Sequence, residues 1–198
     1  MSDQKALIKV DGAEFTADKR ALSESSAYFS RLFSSVWSPS GKRVYSIPGV
    51  SAEMMGLIIE YAHTHSITIN KENVQELLVA ADYLCVMGLV QACCQFLEDQ
   101  LCVENCIGTW VFAEFYSCWQ LQQKAYLFIL HHFEEIVRVS EEFLDLSLTQ
   151  LSNIIEKDDL NVKQEETLSK AIQQWISHKP DERQEHLPAL LAKVRGRF

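Results

Sequence analysis

Six cysteines, six histidines and several adjacent acidic pairs are the residues of this chain with the widest chemical range. Cys93-Cys94 and Cys102-x3-Cys106 invite a metal or redox reading. A structural zinc site pairs C-x2-C units with a second pair or with histidines at set spacing, and that pattern is missing, so the thiols read as small buried hydrophobes. His63-x-His65 and His131-His132 have no accompanying H-E-x-x-H or facial triad, and helix neighbours at i and i+1 point apart. Glu134-Glu135, Glu141-Glu142, Asp158-Asp159 and Glu165-Glu166 stand side by side, which suits helix N-termini and solvated faces better than opposed acid–base work. No glycine-rich phosphate loop occurs, since Gly12 and Gly49 sit in turns. The expectation is no catalytic residue, no metal ligand, no cofactor and no small-molecule substrate.

Tryptophan offers a different chemistry. Trp37 lies among Ser34, Ser35, Val36, Ser38, Pro39 and Ser40, a polar loop in which a large aromatic is hard to bury, so it reads as an anchor for a protein partner. Trp119 and Trp175 have apolar residues at helical spacing and read as core.

These residues must be positioned by a fold that the composition permits. With 198 residues and 47% hydrophobic content, the chain can bury one large core or two small ones. The net charge of −9 is spread over both halves: 8 basic and 12 acidic residues up to position 100, then 10 and 15. A general phosphate-binding surface needs clustered Lys and Arg, so nucleic acid is not an expected partner. No apolar run reaches the roughly 18 residues of a membrane span. The polar N-terminus, Met-Ser-Asp-Gln-Lys, lacks a secretory leader, and reduced thiols are expected in a cytoplasmic protein.

The first half mixes strands with helices. Leu7–Val10 and Ala13–Thr16 flank Asp11-Gly12, a two-residue hairpin turn, and Arg43–Ile47 forms a third strand stopped by Pro48-Gly49. Ser25 to Ser34 and Ser51 to His63 read as helices, the second capped by Ser51 with Met54, Met55, Ile58 and Ile59 inward. Residues 71–101 read as two amphipathic helices bent at Gly88, with Val74, Leu77, Leu78, Ala81 and Leu84 on one stripe and Leu89, Cys93, Phe96, Leu97 and Leu101 on the other. From Val103 onward only helices are expected: Glu104–Tyr116, Gln120–His132, Ser140–Leu144, Thr149–Glu156, Glu165–His178 and Asp181–Val194. The boundary falls near residue 102, and no internal repeat is evident.

Several spaced stretches carry a family resemblance. VDGAEFTADKRALSESSAYFSRLF, RVYSI, MMGLIIEYAHTHSITI and LLVAADYLCVMGLVQACCQFL resemble a BTB (POZ) domain. The stretch from ENCIGTWVFAEFYSCWQ onward, with EFLDL, the DLNV turn, Glu165, Trp175, Arg183 and Val194-Arg195, resembles the BACK domain of the kelch-like family. The resemblance runs from about residue 6 to 195. It implies an α+β BTB/POZ domain over residues 1–102, without the N-terminal helix and strand that the family exchanges across its dimer. After it comes an all-α BACK domain over 103–198, truncated at its C-terminus and without a kelch propeller.

The family's function is then what the resemblance implies: a non-enzymatic adaptor that holds cullin-3 in a RING ubiquitin ligase complex. The family's hydrophobic-x-Glu motif aligns with Trp37-Ser38-Pro39, keeping the aromatic and losing the acid. Its Phe-x-Tyr pair aligns with Tyr61-Ala62-His63. Tyr83, at the Asp82–Gly88 helix end, and Asn105 and Phe112 in the first BACK helix complete the implied cullin-3 residues. Leu7, Lys5, Asp18, Lys19 and Tyr28 are the implied contacts of a weakened BTB homodimer or heterodimer, with Lys5 and Asp18 standing where the family has Asp and His. Two motif changes at ~1 kcal/mol each weaken binding tenfold or more. The alternative is an association module or decoy that no longer engages cullin-3 productively.

Overall fold

The computed structural model describes residues 4–34 and 43–197, and the chain divides into two compact units between Leu97 and Glu98. In the first unit β1 (Lys5–Val10) and β2 (Ala13–Asp18) form an antiparallel hairpin. Asp11 and Gly12 both take positive φ, 47° and 80°, the backbone that matches the twist of a two-residue hairpin. β3 (Val44–Ser46) adds parallel to β1, giving the order β2-β1-β3. Ala6, Ile8, Val10, Ala17 and Tyr45 point into the core, leaving Lys5, Leu7, Lys9 and Thr16 on the opposite face.

Helices α1 (Lys19–Ser25), α2 (Ala27–Leu32) and α3 (Ala52–Thr64) cover the sheet's inner side. Asp18 caps α1, Ser26 caps α2 and Ser51 caps α3, each through a side-chain oxygen that accepts a backbone N–H. The helix expected from Ser25 to Ser34 is therefore α2 alone, preceded by a second short helix. Phe29, Met54, Met55 and Ile58 are buried as the stripe requires, whereas Ile59 is half-buried.

The pair expected at 71–101 is α4 (Val74–Tyr83) and α5 (Met87–Asp99), and the bend differs from expectation. Gly88 lies inside α5, and the turn is made at Leu84-Cys85-Val86, with Cys85 at φ 53°. Val86 N–H donates to Ala81 O at 2.8 Å and Cys85 N–H to Asp82 O at 3.0 Å, a Schellman closure built without glycine. Gly88 answers a different need: a Cβ there would stand 2.5 Å from the Tyr61 hydroxyl.

The second unit is helical: α6 (Cys106–Phe115), α7 (Trp119–Val139), α8 (Glu142–Asp145), α9 (Leu148–Ile155), α10 (Glu165–His178), α11 (Pro180–Arg183) and α12 (Leu187–Arg197). α7 outruns its expected end at His132. The helix kinks there (φ −112°, ψ 18°) and continues, because Asn161 of the DLNV turn takes over the freed carbonyls. Asn161 N–H donates to Leu130 O at 2.9 Å and its side-chain amide to His131 O at 3.2 Å. Trp175 is buried, its indole N–H donating to Leu146 O of EFLDL at 2.8 Å. Arg183 stacks on that indole at 4.0 Å and donates to Trp175 O at 2.7 Å. The motif residues of the second unit are thus largely its packing centre, with Phe133 edge-on to Phe143.

Candidate functional site

The absence of an internal repeat does not hold at the level of backbone geometry. Glu72-Asn73-Val74 opens α4 and Glu104-Asn105-Cys106 opens α6. Asn73 Oδ1 accepts from Asn70 N–H at 2.9 Å while its Nδ2 donates to Thr68 O at 3.1 Å. Asn105 Oδ1 accepts from Cys102 N–H at 2.9 Å and its Nδ2 donates to Gln100 O at 2.9 Å. The helices also end alike. Ser117 takes φ 55° after α6 as Cys85 does after α4, and Cys118 N–H donates to Ala113 O at 2.8 Å as Val86 does to Ala81 O.

One displacement along the chain relates all these pairs, and it carries Tyr83 onto Phe115 and Met87 onto Trp119. These four are exposed, at 47%, 79%, 54% and 69% respectively. Each helix–turn–helix therefore presents two large apolar side chains to solvent at its turn. Helical spacing predicts Trp119 in the core, but it comes directly after the turn residue Cys118 and faces solvent, while Trp110 is buried. Phe115 and Met87 escape sequence reading because their periodicity matches that of core residues, and only the turn geometry turns them outward.

The other expected site residues occupy varied environments. Phe112 is half-buried with its ring 4.7 Å from Tyr116. Asn105 spends its amide on its own loop. Tyr61 is half-buried, set edge-on to His65 with ring centroids 6.0 Å apart. His63 is exposed, and its Nδ1–H donates to Ile59 O at 2.7 Å. That tautomer leaves Nε2 to accept Asp18 N–H at 3.4 Å. Trp37, Ser38 and Pro39 lie outside the described residues.

Two of the residues expected at a dimer contact lie against two of those expected at cullin-3. Asp18 meets His63, and the Tyr28 ring lies 6.0 Å from that of Tyr83. Burial, with Tyr83 beside it, raises the Tyr28 hydroxyl's pKa. Lys5 stands directly opposite Asp18 in the β1–β2 register, so opposite charges face each other there. Asp18's carboxylate is held below its ordinary pKa, first by the Ala21 N–H; desolvation opposes this, and the Arg20 N–H and the nearby His63 and Lys5 add to the lowering. Lys19 holds its ammonium 5.9 Å from the Phe33 ring and 5.7 Å from that of Tyr45. Leu7 is half-buried on the outer sheet face beside Val44, which is exposed.

Of the cysteines, Cys85 is exposed in the turn between Tyr83 and Met87, whereas Cys93, Cys106 and Cys118 are buried. Cys106 is buried, and desolvation with the Glu142 charge pushes its thiol up to about 12. Glu142, one of the acidic pairs, accepts the Gly108 N–H at 2.9 Å. Among the described residues no three His, Cys, Asp or Glu gather as a metal site, and no helix is long and apolar enough to cross a membrane.

Comparison with known proteins agrees with this architecture. The BTB/POZ domain family model matches residues 3–101, and the model named BACK, BTB And C-terminal Kelch, matches 106–198. Kelch-like protein 3 of Homo sapiens is 36% identical over 189 residues, covering 96% of this chain and 32% of that protein. Kelch-like protein 17 of Mus musculus is 34% identical over 189 residues, with 96% and 29% covered. The chain thus spans about a third of the length of these curated relatives. The BTB domain of human gigaxonin aligns with a TM-score of 0.42 at 28% identity, covering 47% of this chain and 76% of that one. A BTB/POZ match over residues 3–101 followed by a BACK match over 106–198 means that this chain belongs to the BTB/POZ domain family with a BACK region after it, and kelch-like proteins are similar to it along 96% of its length.

Proposed function

We propose that this chain is the cullin-3-binding and self-associating part of a ubiquitin ligase adaptor. Kelch-like proteins generally serve as cullin-3 adaptors, and the observation that carries the reading here is the matched pair of exposed apolar turns, Tyr83 with Met87 and Phe115 with Trp119. Large aromatic anchors of this kind supply most of the energy of a protein interface. Trp37, Ser38 and Pro39, with Tyr61, His63 and Tyr83, form the BTB share of the cullin-3 contact, and the α6 segment from Asn105 through Phe112 to Phe115 forms the BACK share. Leu7, Lys5, Asp18, Lys19 and Tyr28 form the dimer contact. The chain acts in the cytoplasm by position, not by catalysis: holding a ligase arm near a recruited protein raises its effective concentration.

A second reading, association alone, draws support from His63, whose two ring nitrogens are both engaged within the chain. Sedimentation of the purified chain with and without the cullin-3 N-terminal region separates the two. The adaptor reading expects a dimer that sediments faster when cullin-3 is added. A dimer whose sedimentation is unchanged by cullin-3 supports association alone.

A further inference from the structure

Between α6, α7 and α9 lies a groove of about 460 Å³ whose walls and rim have opposite character. The walls are aromatic: the Trp110 and Tyr126 rings stand 5.2 Å apart, and the exposed Trp119 adds a third face. The Tyr126 hydroxyl is fixed by donating to Asn153 O at 3.0 Å, and desolvation pushes its pKa up to about 12. The rim carries Glu114, Gln122 and Glu156. Glu156 is engaged by Lys193, whereas Glu114 has no ion pair or side-chain hydrogen bond with the described residues. Trp110 and Glu114 are one turn apart on α6, and Gln122 and Tyr126 one turn apart on α7, so each helix offers a ring and a polar acceptor on one face.

We infer that this groove binds an arginine side chain of a partner peptide. A purely apolar occupant would bury the Glu114 carboxylate and the Gln122 amide without partners. A guanidinium satisfies both parts of the site: its flat face stacks on an indole by cation–π attraction, and its edge forks onto a carboxylate. The chain uses the same stacking internally, where Arg183 lies 4.0 Å from the Trp175 ring. The groove's charged lining is Glu114, Glu156 and Lys157, and with Glu156 paired to Lys193 the Glu114 carboxylate is the acceptor left for a cation. Lys157 borders the groove on the α9 side, which directs the guanidinium to the α6 side, where Glu114 stands. Trp119 is shared with the apolar turn of the proposed function, but the groove's occupancy can be measured without cullin-3, so the two readings are tested separately.

The test is a titration of the ¹⁵N-labelled chain, read at the indole N–H resonances of Trp110 and Trp119. The probes are acetyl-Gly-Gly-Arg-Gly-Gly-amide and the same peptide with norleucine in place of arginine. The arginine peptide is expected to bind about tenfold more tightly than the norleucine peptide. Trp119→Ala should weaken it about tenfold and Glu114→Gln about threefold, with Trp119→Phe retaining most of the binding. Both positions are exposed, so the variants are expected to fold. Equal binding of the norleucine peptide, no saturable shift with the arginine peptide, or wild-type affinity in Trp119→Ala overturns the assignment.

Discussion

Asn105 provides the sharpest separation between a structural and a recognition role. Its amide closes the loop ahead of α6 with two hydrogen bonds of 2.9 Å, to Cys102 N–H and Gln100 O. A net ~0.5–1.5 kcal/mol per bond, taken toward the low end because the loop is near solvent, makes Asn105→Ala cost about 1–2 kcal/mol. Asn105→Asp keeps the acceptor and adds a favourable charge at the helix N-terminus, but loses the donor to Gln100, so it should cost about half as much. Asn73→Ala should behave like Asn105→Ala, since Asn73 makes the same two bonds in the first unit. Urea denaturation followed by circular dichroism measures all three. For a domain of about a hundred residues, each kcal/mol lowers the melting temperature by roughly 4–8 °C. A chain with Asn105→Ala that unfolds at the wild-type urea midpoint would refute the loop-closing account. If cullin-3 binding were also lost, the amide would act on the partner directly.

The same geometry yields four further outcomes. Gly88→Ala should destabilise the first unit because its Cβ meets the Tyr61 hydroxyl, and adding Tyr61→Phe should reverse the sign, leaving Ala better than Gly by about 0.5–1 kcal/mol; thermal melts of the double-mutant cycle check this. Arg183→Met should cost about 2–3 kcal/mol, removing a charged hydrogen bond and the stacking on Trp175, as read from denaturant midpoints. Trp119→Ala should leave stability within about 0.5 kcal/mol of wild type, and a larger loss would return Trp119 to the core. Asp18's pKa in the folded chain lies below its ordinary 3.8, so its cap on α1 contributes fully above that value and is lost as pH falls through the lowered one. A side-chain carboxyl titration by NMR centred at or above 3.8 contradicts that cap.

Local chemistry made much of the fold readable from sequence. Asp11-Gly12 could only serve a tight hairpin, Ser51 stood where a cap was needed, and α10 runs from Glu165 to His178 as its periodicity requires. Two of the departures arise where a nonlocal or non-glycine solution replaces the expected local one. Cys85 and Ser117 occupy left-handed positions where glycine is the usual signal, so the bend was placed at the nearest glycine, Gly88. α7 passes its apparent end because Asn161, distant in sequence, captures carbonyls at the His132 kink. Family resemblance pointed to Tyr83 and α6, but it did not show that Asn105 is turned inward on its loop or that Phe115 is turned out.

The most direct test of the adaptor account is a calorimetric titration of the chain with the cullin-3 N-terminal region, alongside Trp37→Ala and a Tyr83→Ala/Phe115→Ala double variant. The account predicts submicromolar binding by the wild-type chain, abolished by Trp37→Ala and weakened at least about tenfold by the double variant. A folded wild-type chain that gives no binding heat and forms no complex with cullin-3 contradicts it.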